Sequence, residues 1–382
     1  MRDRILVCLY VAILALPVVA MRAHIKDHSL DGFIAIPSPK APTLAAIRSE
    51  QYQHEVTTWF EASRGFRNWS IWIDNTILYQ LFRETKYGSR ISIGHDGMLF
   101  ERDDINYFNR SAKELPTQAQ VDALADRIAG LQARLQRDGR ALVPMFVPSK
   151  TTFYRDKVPA LWTRDLGDPR PGTELVYHAL KRALDARAVV YVDAIDMIMT
   201  SKEPRDLLWG SGARHWSNYV GCLAVGQALV RYSKLTGKPA IDYPCVPRVK
   251  RAKRTHSDFD LFRLVNAWGV PRDRLGRDVD HRPPATPTAD RPNAMFISGS
   301  FGWVMMGDGE LSGRFGTLYI DYYNSTVHSA TQPSLSADPK TERWREVFLT
   351  QDLYVVELNE SYVTSSDYFV VPALDAMADA LR

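Results

Sequence analysis

Three cysteines in 382 residues, with no Cys-x-x-Cys pair and no Cys/His cluster, leave a zinc site without ligands. No G-x-G-x-x-G fingerprint and no Walker loop is present, so nothing points to a nucleotide cofactor. No cofactor or metal is expected. Internal repeats are absent, which excludes a solenoid. The formal net charge is only +4, although a pI near 8.8 suits an anionic partner better than a cationic one. Long apolar runs are missing from all but the first residues. There Arg2 and Arg4 precede Ile5 to Met21, roughly 17 apolar residues, close to the shortest stretch that spans a bilayer.

A basic start before an apolar run reads as a signal peptide or signal anchor over residues 1–23. Val18-Val19-Ala20 offers small residues for cleavage, while Pro17 and Met21 fit a cleavage site poorly. Ser29 to Thr43 is rich in Pro, Ser and Gly, so residues 24–43 read as a linker, leaving 44–382 for the folded domain. Hydrophobic residues at 45% and charged residues at 24% are ordinary globular values. Export also bears on the thiols. With Cys8 in the apolar segment, Cys222 and Cys245 are expected to form a disulfide, the alternative being two buried thiols; the bond would close a loop of about 23 residues and add about 3 kcal/mol.

Periodicity predicts helices over 44–85, 117–137, 173–185 and 217–235, and strands at 91–93, 98–100, 141–147, 188–192, 294–297, 317–320 and 353–357. Short apolar strands separated by helices argue for an α/β fold around a mainly parallel sheet. The basic run Arg248 to Arg254 and the proline-rich stretch Pro283 to Pro292 read as loops. The basic run is either solvated or a contact for an anionic polysaccharide or partner protein. Export and the lack of any recognised motif argue against nucleic acid.

Two short segments carry chemistry. Met295-Phe296-Ile297-Ser298-Gly299-Ser300 sets a serine just after a buried strand and before a helix, at the sheet edge where α/β sites form. Backbone N–H groups at such a helix start can stabilise an oxyanion. Gly210-Ser211-Gly212-Ala213-Arg214-His215-Trp216 sets a histidine just before a helix. A serine hydroxyl needs a base to become a nucleophile, and an imidazole can serve. Spacing alone does not pair Ser300 with His215, because triads are defined by geometry.

Several blocks, in order, give the chain its likeness to a known group. Gly94 to Phe100, Val147-Pro148-Ser149-Lys150 with Tyr154 and Val158-Pro159, Val190 to Asp193, Arg214-His215-Trp216, Asp258 to Leu264, Ser298-Gly299-Ser300-Phe301 and Val355 to Tyr362 resemble the blocks of the alginate O-acetyltransferase AlgJ/AlgX family. The likeness runs from about Gly65 to Val363, and the layout is closer to AlgJ, with no room for the further carbohydrate-binding module of AlgX. The resemblance implies an SGNH-hydrolase-like (flavodoxin-like) fold and two-step acetyl transfer onto an alginate-like exopolysaccharide. Ser300 would be the nucleophile and His215 the base, with Trp216, Lys150 and Tyr154 available for substrate contact. It also implies a membrane-bound O-acyltransferase as acetyl donor, and residence in the periplasm or on the periplasmic face of the inner membrane. The family's Asp-x-His pattern has Ala213 at the acid position, so Asp193, Asp196 or Asp206 would have to substitute. A catalytically degenerate scaffold and a carbohydrate acetyl esterase are the alternatives.

Overall fold

The computed structural model describes residues 2–23, 26–32, 36–63, 66–86, 90–110, 115–162, 172–241, 243–252, 257–270, 274–280, 287–306, 314–329, 333–363 and 368–381. Its strands are β1 (Ile91–Ile93), β2 (Leu99–Glu101), β3 (Ala141–Val147), β4 (Val192–Asp193), β5 (Val246–Ala252), β6 (Arg274–Asp280), β7 (Ala294–Ser298), β8 (Leu318–Tyr322), β9 (Thr326–Ser329), β10 (Leu335–Ser336) and β11 (Leu353–Asn359). Two compact units are distinguished: Met1–Ile93 with Leu261–Arg272, and Gly94–Asp260 with Asp273–Arg382.

The second unit is built on a seven-stranded sheet in the order β10-β9-β8-β7-β11-β3-β4. Strands β8 to β4 run parallel, while β9 and β10 add antiparallel at one edge. The sheet is thus mainly parallel, as expected, but mixed. Taken in chain order, the parallel strands run 2-1-5-3-4, whereas flavodoxin-like sheets run 2-1-3-4-5. The last strand, β11, has moved to the centre. All seven of its residues are buried, which suits a position with partners on both sides.

Alternation along the strands feeds two cores. Val143 and Met145 of β3, Phe296 of β7 and Val355 of β11 share one face with the helix Asn218–Thr236. Leu142, Phe146, Ile297 and Val356 share the other with the helices Gln118–Arg137 and Val370–Ala380. The helix Gln118–Arg137 starts where its sequence dictates. Thr117 and Gln120 form a capping box, and Val121, Leu124, Ile128, Leu131 and Leu135 make its buried stripe.

Two expectations are corrected here. The strand expected at 188–192 is reduced to β4. Ala188 has a left-handed φ of 54°, Val189 N–H closes the preceding helix on the Leu184 carbonyl, and Val190 is held by the Gln132 side chain. The basic run is not a loop through 252. It forms β5 and pairs antiparallel with β6, Val249 opposite Arg277. Charged residues on an exposed ribbon hide the period-two alternation of a strand. Residues 253–256 and, in the proline-rich stretch, 283–286 lie outside the described residues, while Thr288–Asp290 of that stretch forms a single 3-10 turn.

Cys222, on the helix Asn218–Thr236, is disulfide-bonded to Cys245, and the bond ties that helix to the approach into β5. In the first unit, Asp27 accepts hydrogen bonds from the N–H groups of Asn68 and Trp69 at the start of the helix Arg67–Ile77. His28 lies against Trp69 and Trp72. The N-terminal apolar segment forms a helix, Arg2–Arg22, with Ile5, Leu14 and Val19 exposed. Among the described residues no helix is long and apolar enough to cross a membrane, so the expected membrane segment gains no support.

Asp321 of β8 is fully buried, and burial pushes its carboxyl up to about 7 against a weaker opposing effect from the Asn324 backbone. The folded chain then holds this proton more tightly than the unfolded chain, so its contribution to stability falls as pH rises from about 4 to about 7. The loss is at most about 4 kcal/mol. Asp321→Asn is expected to be more stable than wild type above pH of about 8 and nearly equal to it near pH of about 4. Denaturant unfolding at both pH values checks this; parallel pH profiles for the two proteins would refute it.

Candidate active site

Strand β7 ends at Ser298, and the chain turns through Gly299 into the helix Phe301–Met305. The turn is tight on both sides. A Cβ at Gly299 would sit 2.9 Å from the Tyr323 ring, and one at Gly302 would sit 2.0 Å from Ser298 Oγ. Glycine is needed at both positions for this close approach. The Gly299 N–H donates to the buried Glu357 carboxylate of β11 at 2.9 Å, which fastens the turn to the centre of the sheet. Ser300 is thereby held half-buried at the carboxyl edge, beside the point where strand order reverses, the usual site position in such sheets.

His215 comes from the loop before the helix Asn218–Thr236, which Ser217 caps. That loop is pinned from below. Lys150 Nζ donates to the carbonyls of Ser211 and Ala213, each at 2.8 Å, and Leu99 N–H donates to Ser211 O at 3.0 Å. Phe301, the residue after Ser300, packs edge-on against His215 and Trp216, with ring centroids 4.8 and 5.3 Å apart. His215 Nε2 lies 2.7 Å from Ser300 Oγ.

The other ring nitrogen meets a carboxylate. His215 Nδ1 lies 3.0 Å from Oδ2 of Asp260, the first residue of the short helix Asp260–Val265. A carboxylate only accepts hydrogen bonds, so Nδ1 carries the proton and Nε2 is left to accept from the Ser300 hydroxyl. Neighbouring groups hold the acid in place. Phe259 is fully buried, and Asp258, also buried, accepts hydrogen bonds from Arg277 N–H at 2.9 Å and from its guanidinium at 3.4 Å. Serine, histidine and aspartate stand in the order of a nucleophile, a base and the group that orients the base.

In front of Ser300 lies a cavity of about 330 Å³, walled by Tyr107, Tyr323, Tyr362, Phe369 and Arg214 among others. Arg214 pairs with Glu101 at 2.8 Å. Burial raises the carboxyls of Glu101 and Asp104, against the pull of the Arg214 charge. Burial also pushes Glu357 up to about 7, opposed by its bond from Gly299 N–H. The Tyr323 hydroxyl accepts from Ser300 N–H at 3.3 Å. Tyr323 and Asn324 both have left-handed φ, 52° and 50°, in the turn between β8 and β9. A tyrosine in that region is uncommon and places its ring over Gly299. With the Ser300 N–H given to its oxygen, the Tyr323 hydroxyl is a donor 3.5 Å from Ser300 Oγ, close to any oxyanion formed there. Among the described residues no cluster of His, Cys, Asp or Glu could hold a metal ion.

No curated protein matches the chain. Residues 91–245 match the family described as the SGNH hydrolase-like domain of the acetyltransferase AlgX. The match covers 155 of the 382 residues, and over that stretch the chain is similar to the AlgX domain. The solved structures similar at low identity include three of note. The O-acetyltransferase domain of Pseudomonas putida AlgJ is 16% identical, with a TM-score of 0.48, covering 75% of this chain and 99% of that one. Pseudomonas aeruginosa AlgX is 12% identical, with a TM-score of 0.46, covering 76% and 68%. Bacillus cereus PatB1 with a sulfonyl adduct is 11% identical, with a TM-score of 0.47, covering 73% and 96%.

The AlgX match contains His215 and Ala213 and ends before Asp260 and Ser300. None of the three expected substitute acids reaches His215. Asp193 accepts from the Tyr177 hydroxyl at 2.7 Å and from Asp196 N–H, as the cap of the helix Ala194–Met199. Asp196 is exposed on that helix, and Asp206 pairs with Arg277 at 3.1 Å. The expected substrate contacts are corrected as well. Trp216 is fully buried under Phe301, Lys150 is buried with its ammonium on two loop carbonyls, and the Tyr154 hydroxyl donates to Trp209 O at 2.7 Å. Lys150 and Tyr154 turn their polar ends inward onto backbone carbonyls, and the Trp216 ring is packed in the core, so all three side chains support the loop that carries His215. Asp260, Tyr323 and Arg214 are the site residues that sequence reasoning missed.

Proposed function

We propose that this protein transfers acetyl groups to hydroxyls of an alginate-like polysaccharide through an acetyl-Ser300 intermediate. One observation carries the reading: the hydrogen-bonded series Ser300–His215–Asp260 opening onto a cavity. His215 Nε2 takes the Ser300 proton as Oγ attacks the carbonyl of an acetyl donor. Asp260 steadies the imidazolium at Nδ1, and His215 then protonates the departing donor group. In the second half, His215 takes the proton of a sugar hydroxyl. That oxygen attacks the acetyl carbon, and Ser300 leaves with the proton returned by His215. The Tyr323 hydroxyl, which receives the Ser300 N–H and lies 3.5 Å from Ser300 Oγ, would donate to the developing oxyanion.

The donor in this reading is a membrane-bound O-acyltransferase, as the resemblance to the AlgJ/AlgX family implies. The Cys222–Cys245 bond and the basic-then-apolar start support export to the periplasm. The reading is tested by incubating the protein with a simple acetyl ester and analysing the quenched product by mass spectrometry. One added acetyl group on the peptide containing Ser300, discharged faster by oligomannuronate than by water, supports transfer. Discharge unaffected by sugar identifies an esterase, and no acetylation of Ser300 leaves a non-catalytic scaffold.

A further inference from the structure

We propose that a second, larger cavity on the same sheet edge is a carbohydrate-binding site that grips the acceptor chain away from the hydroxyl being acetylated. This rests on the acetyltransferase reading above. The cavity at Ser300, about 330 Å³, is at the small end of ligand sites, with room for the reacting group but not for a length of polymer. The second cavity, about 940 Å³, opens beyond the carboxyl ends of β3 and β4. The two flank the same pieces of chain. Tyr107 and Asn359 line the first, and their neighbours Phe108 and Glu360 line the second. A polymer crossing this edge passes one on its way to the other.

The chemistry of the larger cavity selects its occupant. Phe108, Phe153 and Tyr177 contribute aromatic surface. Two arginines lie among them, Arg155 with its guanidinium 5.8 Å from the Phe108 ring and Arg205 at 5.2 Å from Phe153. Arg205 is answered by Asp156 at 2.9 Å, and Asp196 lines the opposite helix. A fatty chain would strip water from two guanidinium groups and two carboxylates and offer them no hydrogen bond in return. A phosphate would want cations that no acid already answers. A sugar ring presents C–H faces that pack on aromatic rings and hydroxyl edges that exchange hydrogen bonds with both guanidinium and carboxylate. Mixed aromatic and paired-charge walls suit that ligand.

Filling the cavity tests this without disturbing the core. Met199, half exposed at the end of the helix Ala194–Met199, and Ser201 both sit on its lining. Met199→Trp and Ser201→Trp are each expected to raise KM for a long oligomannuronate acceptor about tenfold, the effect of losing one binding contact. They should leave kcat, the rate with a dimannuronate acceptor and acetylation of Ser300 by a simple ester unchanged. Equal effects on long and short acceptors, or none on either, would overturn the proposal. Binding to Ser300→Ala protein keeps the test independent of turnover. A fluorescent long oligomannuronate should bind that protein and be lost on adding either tryptophan. If the oligomer does not bind, or if palmitate or inorganic phosphate binds there instead and is expelled by the plug, the cavity is not a carbohydrate site, whatever Ser300 does.

Discussion

Ser300→Ala is expected to lower acetyl transfer by about 10⁶, to the background set by binding and the remaining oxyanion donors. The effect is large because both half-reactions pass through the same oxygen: without Oγ no acetyl-enzyme forms, and His215 has no hydroxyl to deprotonate. Little structural cost accompanies the change. Ser300 caps nothing with its side chain, and the turn is held instead by Gly299 N–H on Glu357. Thermal unfolding should therefore match wild type, while the quenched peptide carries no acetyl group. Retention of even a hundredth of wild-type transfer would place the chemistry on another residue.

Asp260→Asn is expected to cost about 10⁴ in turnover with the fold intact. The amide keeps the size of the carboxylate but can donate to Nδ1. The imidazole is then free to take the other tautomer, with its proton on Nε2, where it faces Ser300 Oγ as a donor and cannot act as base. The uncharged amide also no longer balances the imidazolium. Ala213→Asp in otherwise native protein serves as the contrast. Ala213 is fully buried, and its carbonyl already receives Lys150. A second carboxylate there should add no activity and should destabilise the loop. Steady-state rates and melting curves on the two variants decide the matter. An active Asp260→Asn enzyme, or a gain from Ala213→Asp, would move the orienting role away from Asp260.

How much of this is legible without coordinates depends on whether the signal is local. The capping box at Thr117 and the stripe from Val121 to Leu135 define their helix within one window. Ser300 and His215 each stand out because a short block surrounds them, a buried strand in one case and a glycine-rich loop before a helix in the other. The central place of β11 depends on pairings made far along the chain with β3 and β7, which no local period encodes. Asp260 is hidden for the same reason. It lies in the Asp258 to Leu264 block that the sequence comparison singles out, yet nothing in that block says which of its two aspartates turns towards a histidine 45 positions away. Lys150 and Tyr154 fail in the opposite sense. Polar side chains in a motif invite a ligand-binding reading, and here they satisfy backbone carbonyls beneath the loop.

The distance along the chain between base and acid bears on how such proteins descend and are recognised. An acid two residues before its histidine travels with it: one short segment is copied, lost or transplanted whole. Here the partners sit on separate segments 45 positions apart, so copying or replacing one segment does not carry the other with it. A survey that demands Asp-x-His would miss this arrangement, because position 213 is alanine. Chains of this kind are better sorted by asking whether any carboxylate on the segment preceding the nucleophile strand reaches the imidazole.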